Sequence, residues 1–207
     1  MNRSISRFTI ATTVAACTVL GACQKKGDVA ATDPTAAPAM TDTTASAGTV
    51  ATPKNDWTDA QILAFAATAN SGEIKEAKLA RQKATNPAVK KFAALMIADH
   101  TKMQADGKAL ATKLAITPDT SKSDVSDLAK AGSKDIKDLS NKKVGKDWDE
   151  DYMEMQVDTH QKVLDKLNDA SMSAKAPELK SALTEAIATV QDHLTQAKQI
   201  KDSSLKS

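Results

Sequence analysis

The chain has 207 residues, with 28 Lys and Arg against 26 Asp and Glu, and aromatic residues make up 3% of it. This length allows one domain with additional segments, and the scarcity of aromatic residues and glycine favours helix over sheet. The charges nearly balance, and Arg81 is the one arginine beyond the first seven residues, so a basic nucleic-acid-binding face is excluded.

The amino-terminal residues predict export and lipid attachment. Two arginines precede an uncharged apolar run that has the length of a signal-peptide core and is too short to span a bilayer comfortably. Leu20-Gly21-Ala22-Cys23 then matches the bacterial lipobox, in which the cysteine is lipidated before cleavage. We therefore predict a lipoprotein signal peptide over residues 1–22 and a membrane anchor at Cys23; an ordinary signal peptide cut nearby is the alternative. Gln24 favours the outer over the inner membrane for this periplasm-facing lipoprotein.

Residues 23–56 are rich in Ala, Thr and Pro and contain almost no large apolar residue. Such a segment cannot bury a core, so we predict a disordered tether with a span of roughly 30 Å. Cys17 lies inside the signal peptide and Cys23 is the anchor, which leaves no thiol in the folded part. Disulfides and cysteine metal sites are therefore excluded there.

Residues 57–202 are predicted to form the folded domain, which begins with a long amphipathic helix. Thr58 and Gln61 have the spacing of a capping box, and the helix should end near Thr85. Its apolar stripe contains two acids, Glu73 and Glu76. They could reach solvent past small alanines, or they could belong to a polar site in the core.

The second helix carries the most regular pattern of the chain. Asn86 and Pro87 supply its cap and first turn, and it should end near Ala115. Its stripe alternates four- and three-residue steps without interruption. The stripe consists of Val89, Ala93, Met96, His100, Met103, Gly107, Leu110 and Leu114.

Three further segments complete the predicted domain. Residues 123–141 form a weaker helix that should be interrupted near Gly132. A capping box at Asp147-x-x-Glu150 opens the next long helix, and a loop over residues 171–176 precedes Pro177, the first residue of the last helix. The fold class predicted is all-α: an antiparallel four-helix bundle, ferritin-like, with one short extra helix.

His100, His160 and His193 lie on the apolar stripes of three different helices. Counting residues from the loops places Glu73 and His100 within roughly 3 Å of the same height, and offsets His160 from His193 by roughly 7 Å. The count therefore favours a Glu73–His100 neighbourhood over a compact three-histidine site. Asp99 precedes His100 directly, so it should point elsewhere. The candidate metal ligands are Glu73, His100, His160 and His193; a structural ion pair between Glu73 and a protonated His100 is the alternative.

Met96 and Met103 flank His100 at helical spacing. Thioether and imidazole ligands suit copper, so these methionines would join the site if the metal were copper. The alternative is that they fill the core.

No catalytic residue can be assigned from the sequence. A helical di-iron site uses Glu-x-x-His pairs, but Ile97, Val157 and Val190 stand three residues before the histidines. No nucleophile-and-base arrangement can be picked out either. A non-catalytic role is therefore favoured over an enzyme.

Several runs resemble the bacterial exported family called domain of unknown function 4142. They are residues 69–74, 79–80, 86–93 and 96–100, together with Tyr152-Met153, His160 and His193-Leu194. The resemblance implies a ferritin-like four-helix domain facing the periplasm, with Glu73, His100, His160 and His193 at the family's polar core positions. We expect an envelope lipoprotein that binds a partner or serves an envelope or stress role, with a periplasmic copper-, zinc- or iron-binding bundle as the alternative. The membrane is the partner expected through Cys23.

Overall fold

The computed structural model describes residues 56–203 and residue 205, and this part of the chain forms five α-helices without a strand. The helices are α1 (Asp59–Lys83), α2 (Pro87–Lys113), α3 (Ser123–Asn141), α4 (Lys146–Ser173) and α5 (Pro177–Ser203). The all-α prediction is confirmed. The predicted signal peptide, the anchor at Cys23 and the tether up to residue 55 lie outside the described residues. In the described part, no helix has both the length and the apolar character needed to cross a bilayer.

The first two helices begin and end as their local sequence predicts. The Thr58 hydroxyl accepts from the backbone N–H of Gln61 and the Gln61 side chain accepts from that of Thr58, both at 3.2 Å. Asn86 caps α2 by accepting from the N–H of Ala88 at 2.8 Å. At the other end of α2, Ala115 adopts a left-handed φ of 52°, which closes the helix.

Two predicted details of α3 and α4 are wrong. Helix α3 passes through Gly132 without a break. The glycine allows α3 to pack closely on α1, since a Cβ there would lie 3.3 Å from Oε1 of Glu76. Helix α4 does not start with the Asp147–Glu150 capping box. Gly145, with φ of 151°, occupies the N-cap and α4 begins at Lys146. Its other end is Ser173, so the connection to α5 is shorter than predicted.

The helices pack as an antiparallel bundle. Helices α1 and α2 form one hairpin and α4 and α5 form another; α1 packs on α4 and α2 on α5, while the shorter α3 packs mainly on α1. The predicted bundle with one short extra helix is therefore confirmed.

Two carboxylates, the buried Asp149 and the half-buried Asp59, fix the hairpin connections. Asp149 of α4 is 1% exposed and accepts from the backbone N–H groups of Thr85 and Asn86 at 2.8–3.1 Å and from the Thr85 hydroxyl at 2.5 Å. Asp59 at the start of α1 likewise accepts from the N–H groups of Lys175 and Ala176 at 2.8 and 3.0 Å. These contacts set the register of one hairpin against the other.

A layer of buried polar side chains divides the core into two apolar clusters. The larger cluster contains Trp57, Phe65 and Leu167, and the other contains Phe92, Trp148 and Met153. Seven polar residues lie between them along the helices. They are Asn70, Glu73, Glu76, His100, Gln156, His160 and His193.

Candidate metal centre

Three imidazoles meet in the polar layer. His100 of α2, His160 of α4 and His193 of α5 are each at most 2% exposed, and their ring centroids are 5.2–5.9 Å apart. One ring nitrogen of each histidine lies within 4.8 Å of the others. A zinc-type ion bound at 2.0–2.1 Å would bring these nitrogens to roughly 3.4 Å from one another, an inward movement of about 1 Å that side chains can make.

The predicted offset between His160 and His193 is wrong, because it rested on too long a loop. Helix α4 continues to Ser173, so the connection is residues 174–176 and its centre shifts by about 1.5 residues. Since the two helices run in opposite directions, this shift removes about 4–5 Å of the expected offset.

Each histidine uses one ring nitrogen to donate to an oxygen that can only accept, at 2.9–3.0 Å. The pairs are His100 Nδ1 with Asn70 Oδ1, His160 Nδ1 with the Gln156 backbone oxygen, and His193 Nε2 with Asp99 Oδ2. The second ring nitrogens are buried and have no hydrogen-bond partner among the described residues. We call them the site nitrogens: His100 Nε2, His160 Nε2 and His193 Nδ1. Because the donor position is fixed elsewhere on each ring, each site nitrogen carries a lone pair.

The environment holds all three rings neutral. Burial lowers the pKa of His100 to about 2, and the neighbouring His160 and His193 act in the same direction. Burial also lowers the pKa of His160 to about 4. Burial lowers the pKa of His193 as well, against the opposing effect of the Asp99 carboxylate. Neutral imidazole is the form that binds a metal ion.

Glu73 contacts a different histidine from the predicted one. Its Oε1 lies 3.6 Å from Nδ1 of His160, whereas the polar partner of His100 is Asn70, one turn earlier on α1. Burial raises the pKa of Glu73 to about 7, so its contact with the neutral His160 is not a charged pair at mildly acidic pH. The predicted ion pair between Glu73 and a protonated His100 is therefore wrong.

Glu76 is also buried, at 2% exposure, so the alternative that the α1 acids reach solvent is wrong. Gln156 donates from Nε2 to Oε2 of Glu76 at 3.1 Å. Burial, followed by the nearby Glu73 carboxyl, raises the pKa of Glu76 to about 9.

An apolar groove leads to the histidines between α1, α2 and α5. It has a volume of about 520 Å³, and Asn70, Asp99, His100 and His193 are among the residues that line it. Met103, half-buried, lines the same groove, whereas Met96 is fully buried in the cluster with Phe92. The groove gives a small ion or solute a route to the centre.

Sequence reasoning missed two hydrogen-bond acceptors of this centre. Asn70 lies three residues before Glu73 and therefore on the same face of α1, so this spacing could have placed Asn70 in the polar layer. Asp99 points away from its neighbour His100, as predicted, but it reaches His193 on α5 instead. That contact joins residues 94 positions apart, and helix periodicity alone cannot reveal it.

The described residues thus define a class: helical bundles with a buried three-histidine centre that can accommodate a transition metal. The chain belongs to the family described as a domain of unknown function, DUF4142, whose profile matches residues 41–200. A solved structure described as "CopM in the Cu(II)-bound form" is similar to it, with a TM-score of 0.56 and 18% sequence identity. The similarity covers 70% of this chain and 97% of the CopM chain, and it shows the shared fold. No curated protein matches the chain.

Proposed function

We propose that this protein binds one transition-metal ion, copper or zinc, at His100, His160 and His193. One observation carries the proposal: three neutral imidazoles have their lone pairs in one buried layer while their N–H groups are held by separate acceptors. Metal-ligating histidines are oriented by this kind of second hydrogen bond. Without an ion, burying three polar nitrogens that lack a partner among the described residues destabilises the fold.

Copper is the first ion to test. Imidazole ligands suit both copper and zinc, and copper(II) generally binds a given nitrogen site more tightly; the solved CopM structure of the same fold is also a Cu(II)-bound form. Met103 on the groove offers a thioether on the route to the centre, which would favour copper(I) over zinc. Glu73 faces Nδ1 of His160, at 3.6 Å, and not the site nitrogen Nε2, so we propose the three imidazoles alone as protein ligands.

The proposal is tested by titrating metal into untagged, metal-free protein. We expect saturation at one equivalent of Cu²⁺ or Zn²⁺, measured by calorimetry. At a free-ion concentration 100 times the Kd, binding should add about 2.7 kcal/mol of stability and raise the Tm by roughly 5–10 °C.

Matched variants locate the site. Alanine at His100, His160 or His193 should abolish the rise in Tm on adding metal, whereas Thr101→Ala, an exposed neighbour of His100, should keep it. Equal metal binding by the variant that lacks all three histidines would refute the proposal.

The role we propose is binding rather than catalysis, in a protein anchored in the cell envelope through Cys23 and facing the periplasm, on the outer membrane. The lipobox and the apolar run before it support the anchor. Labelling cells with palmitate tests it: the wild type should take up label and Cys23→Ala should not. Label that survives the substitution would refute the anchor while leaving the metal site untouched.

A further inference from the structure

A second polar cluster lies beside the histidine centre, between α1 and α4. We call it the acidic chamber: Glu73 and Glu76 of α1 with Tyr152 and Gln156 of α4. All four side chains are at most 3% exposed. Tyr152 and Gln156 are one helical turn apart and therefore share a face of α4. Burial, followed by the electrostatic effect of both carboxyls, raises the pKa of Tyr152 well above its ordinary value.

The chamber contains more oxygen acceptors than hydrogen-bond donors. Gln156 Nε2 donates to Glu76 at 3.1 Å. Within the described part of the chain, three buried oxygens are left without a partner: Glu73 Oε2, Gln156 Oε1 and the Tyr152 hydroxyl. No lysine or arginine is buried among the described residues to offset the two carboxyls. Two neighbouring buried acids need either protons or a cation to be tolerated.

A cavity of about 370 Å³ connects the chamber to the surface between α1, α3 and α4. Glu73 and Glu76 line its inner side, and the half-buried Asp135 of α3 lines its outer side. Gly132 keeps this passage open, because a larger residue would press on Glu76. Asp135 acts electrostatically on both buried carboxyls, and Lys75 and Lys162 also line the cavity. A cation that enters by this cavity would meet the two buried acids at its inner side and could replace their protons.

We propose that the acidic chamber is a second metal site, which binds an oxygen-preferring divalent cation of the manganese or calcium type. The carboxylates of Glu73 and Glu76 would balance its charge, and Gln156 Oε1 and the Tyr152 hydroxyl would supply neutral ligands. Carboxylate and carbonyl oxygens suit manganese, calcium and magnesium, whereas imidazole suits copper and zinc. The site therefore goes beyond the proposed histidine centre and differs from it in ligand chemistry.

The test uses the full mature chain and Mn²⁺ as the probe, because free Mn²⁺ has a paramagnetic resonance signal that disappears on binding. The wild type should bind one equivalent of Mn²⁺, and Ca²⁺ should compete for it. Glu76→Gln should lower the Mn²⁺ affinity at least about tenfold, by loss of a charged ligand. The matched control is Glu154→Gln, an exposed acid on the same helix as Gln156.

The two metal sites can be separated by their variants. The protein without its three histidines should keep Mn²⁺ binding, and Glu76→Gln should keep copper and zinc binding at one equivalent. If Glu76→Gln fails to fold, Tyr152→Phe serves instead, since it removes one oxygen and keeps the ring; a several-fold weaker Mn²⁺ affinity is expected. Mn²⁺ binding that disappears with the histidines would overturn the proposal. So would the absence of saturable Mn²⁺ and Ca²⁺ binding to the folded wild type, which would mean that protons satisfy the two acids.

Discussion

The buried acid at Glu76 gives this protein an unusual dependence of stability on pH. Its pKa is raised to about 9 in the fold, against an ordinary value of 4.5. Between these values the folded state holds a proton that the unfolded state has lost. In metal-free protein this group therefore lowers the free energy of unfolding by about 1.4 kcal/mol for each unit that the pH rises.

The buried histidines act in the opposite direction. His160 has its pKa lowered to about 4 in the fold, against 6.5 when unfolded. Between these values the unfolded state holds the extra proton, so stability falls as the pH falls. From pH 6.5 to 4.5 the contributions of Glu76 and His160 cancel, because folding removes a proton from the histidine and adds one to the acid. Glu73, with its pKa raised to about 7, opposes His100, with its pKa lowered to about 2, in the same way.

Replacing Glu76 by Gln removes one of the two buried acids from this balance and keeps the size of the side chain. Relative to the wild type, the variant should lose about 3 kcal/mol of stability when the pH is lowered from 6.5 to 4.5. Urea unfolding in a chelating buffer at several pH values measures this difference, provided that the m-value stays constant. The exposed-acid variant Glu154→Gln should follow the wild type. If Glu76→Gln also ran parallel to the wild type, Glu76 would be ionised in the fold and the reasoning would be refuted.

Two further predictions concern single carboxylates. Asp99→Ala should weaken metal binding about 10–100-fold by releasing His193, with a stability change below about 1 kcal/mol because Asp99 is 36% exposed. Chelator competition measures the affinity, and an unchanged Kd would contradict the role of Asp99 in orienting His193. Asp149→Ala should lower the free energy of unfolding by about 3 kcal/mol, because it leaves backbone N–H groups at the start of α2 without their acceptor. Urea unfolding checks this value, and a loss below about 1 kcal/mol would count against the carboxylate as a structural clamp.

The sequence by itself determined the local structure of the domain. Thr58, Asn86 and Pro177 mark helix starts because caps and first-turn prolines depend on neighbours within four residues. Helical periodicity likewise showed that His100 and its two counterparts face the core, since a stripe is a property of one helix. The same rules misread Gly132 and the start of α4, where a contact with another helix or a glycine conformation takes precedence over the local pattern.

The tertiary structure decided which of these core-facing groups meet. The meeting of the three imidazoles depends on where α4 ends, and a three-residue error in that helix end changes the relative height of two antiparallel helices by several ångströms. The partnership of Asp99 with His193 depends on how α2 packs against α5. The burial of Glu76 depends on α3 lying across α1 at Gly132. None of these contacts is local in sequence, so the packing of the helices, rather than the pattern of any one of them, forms the site.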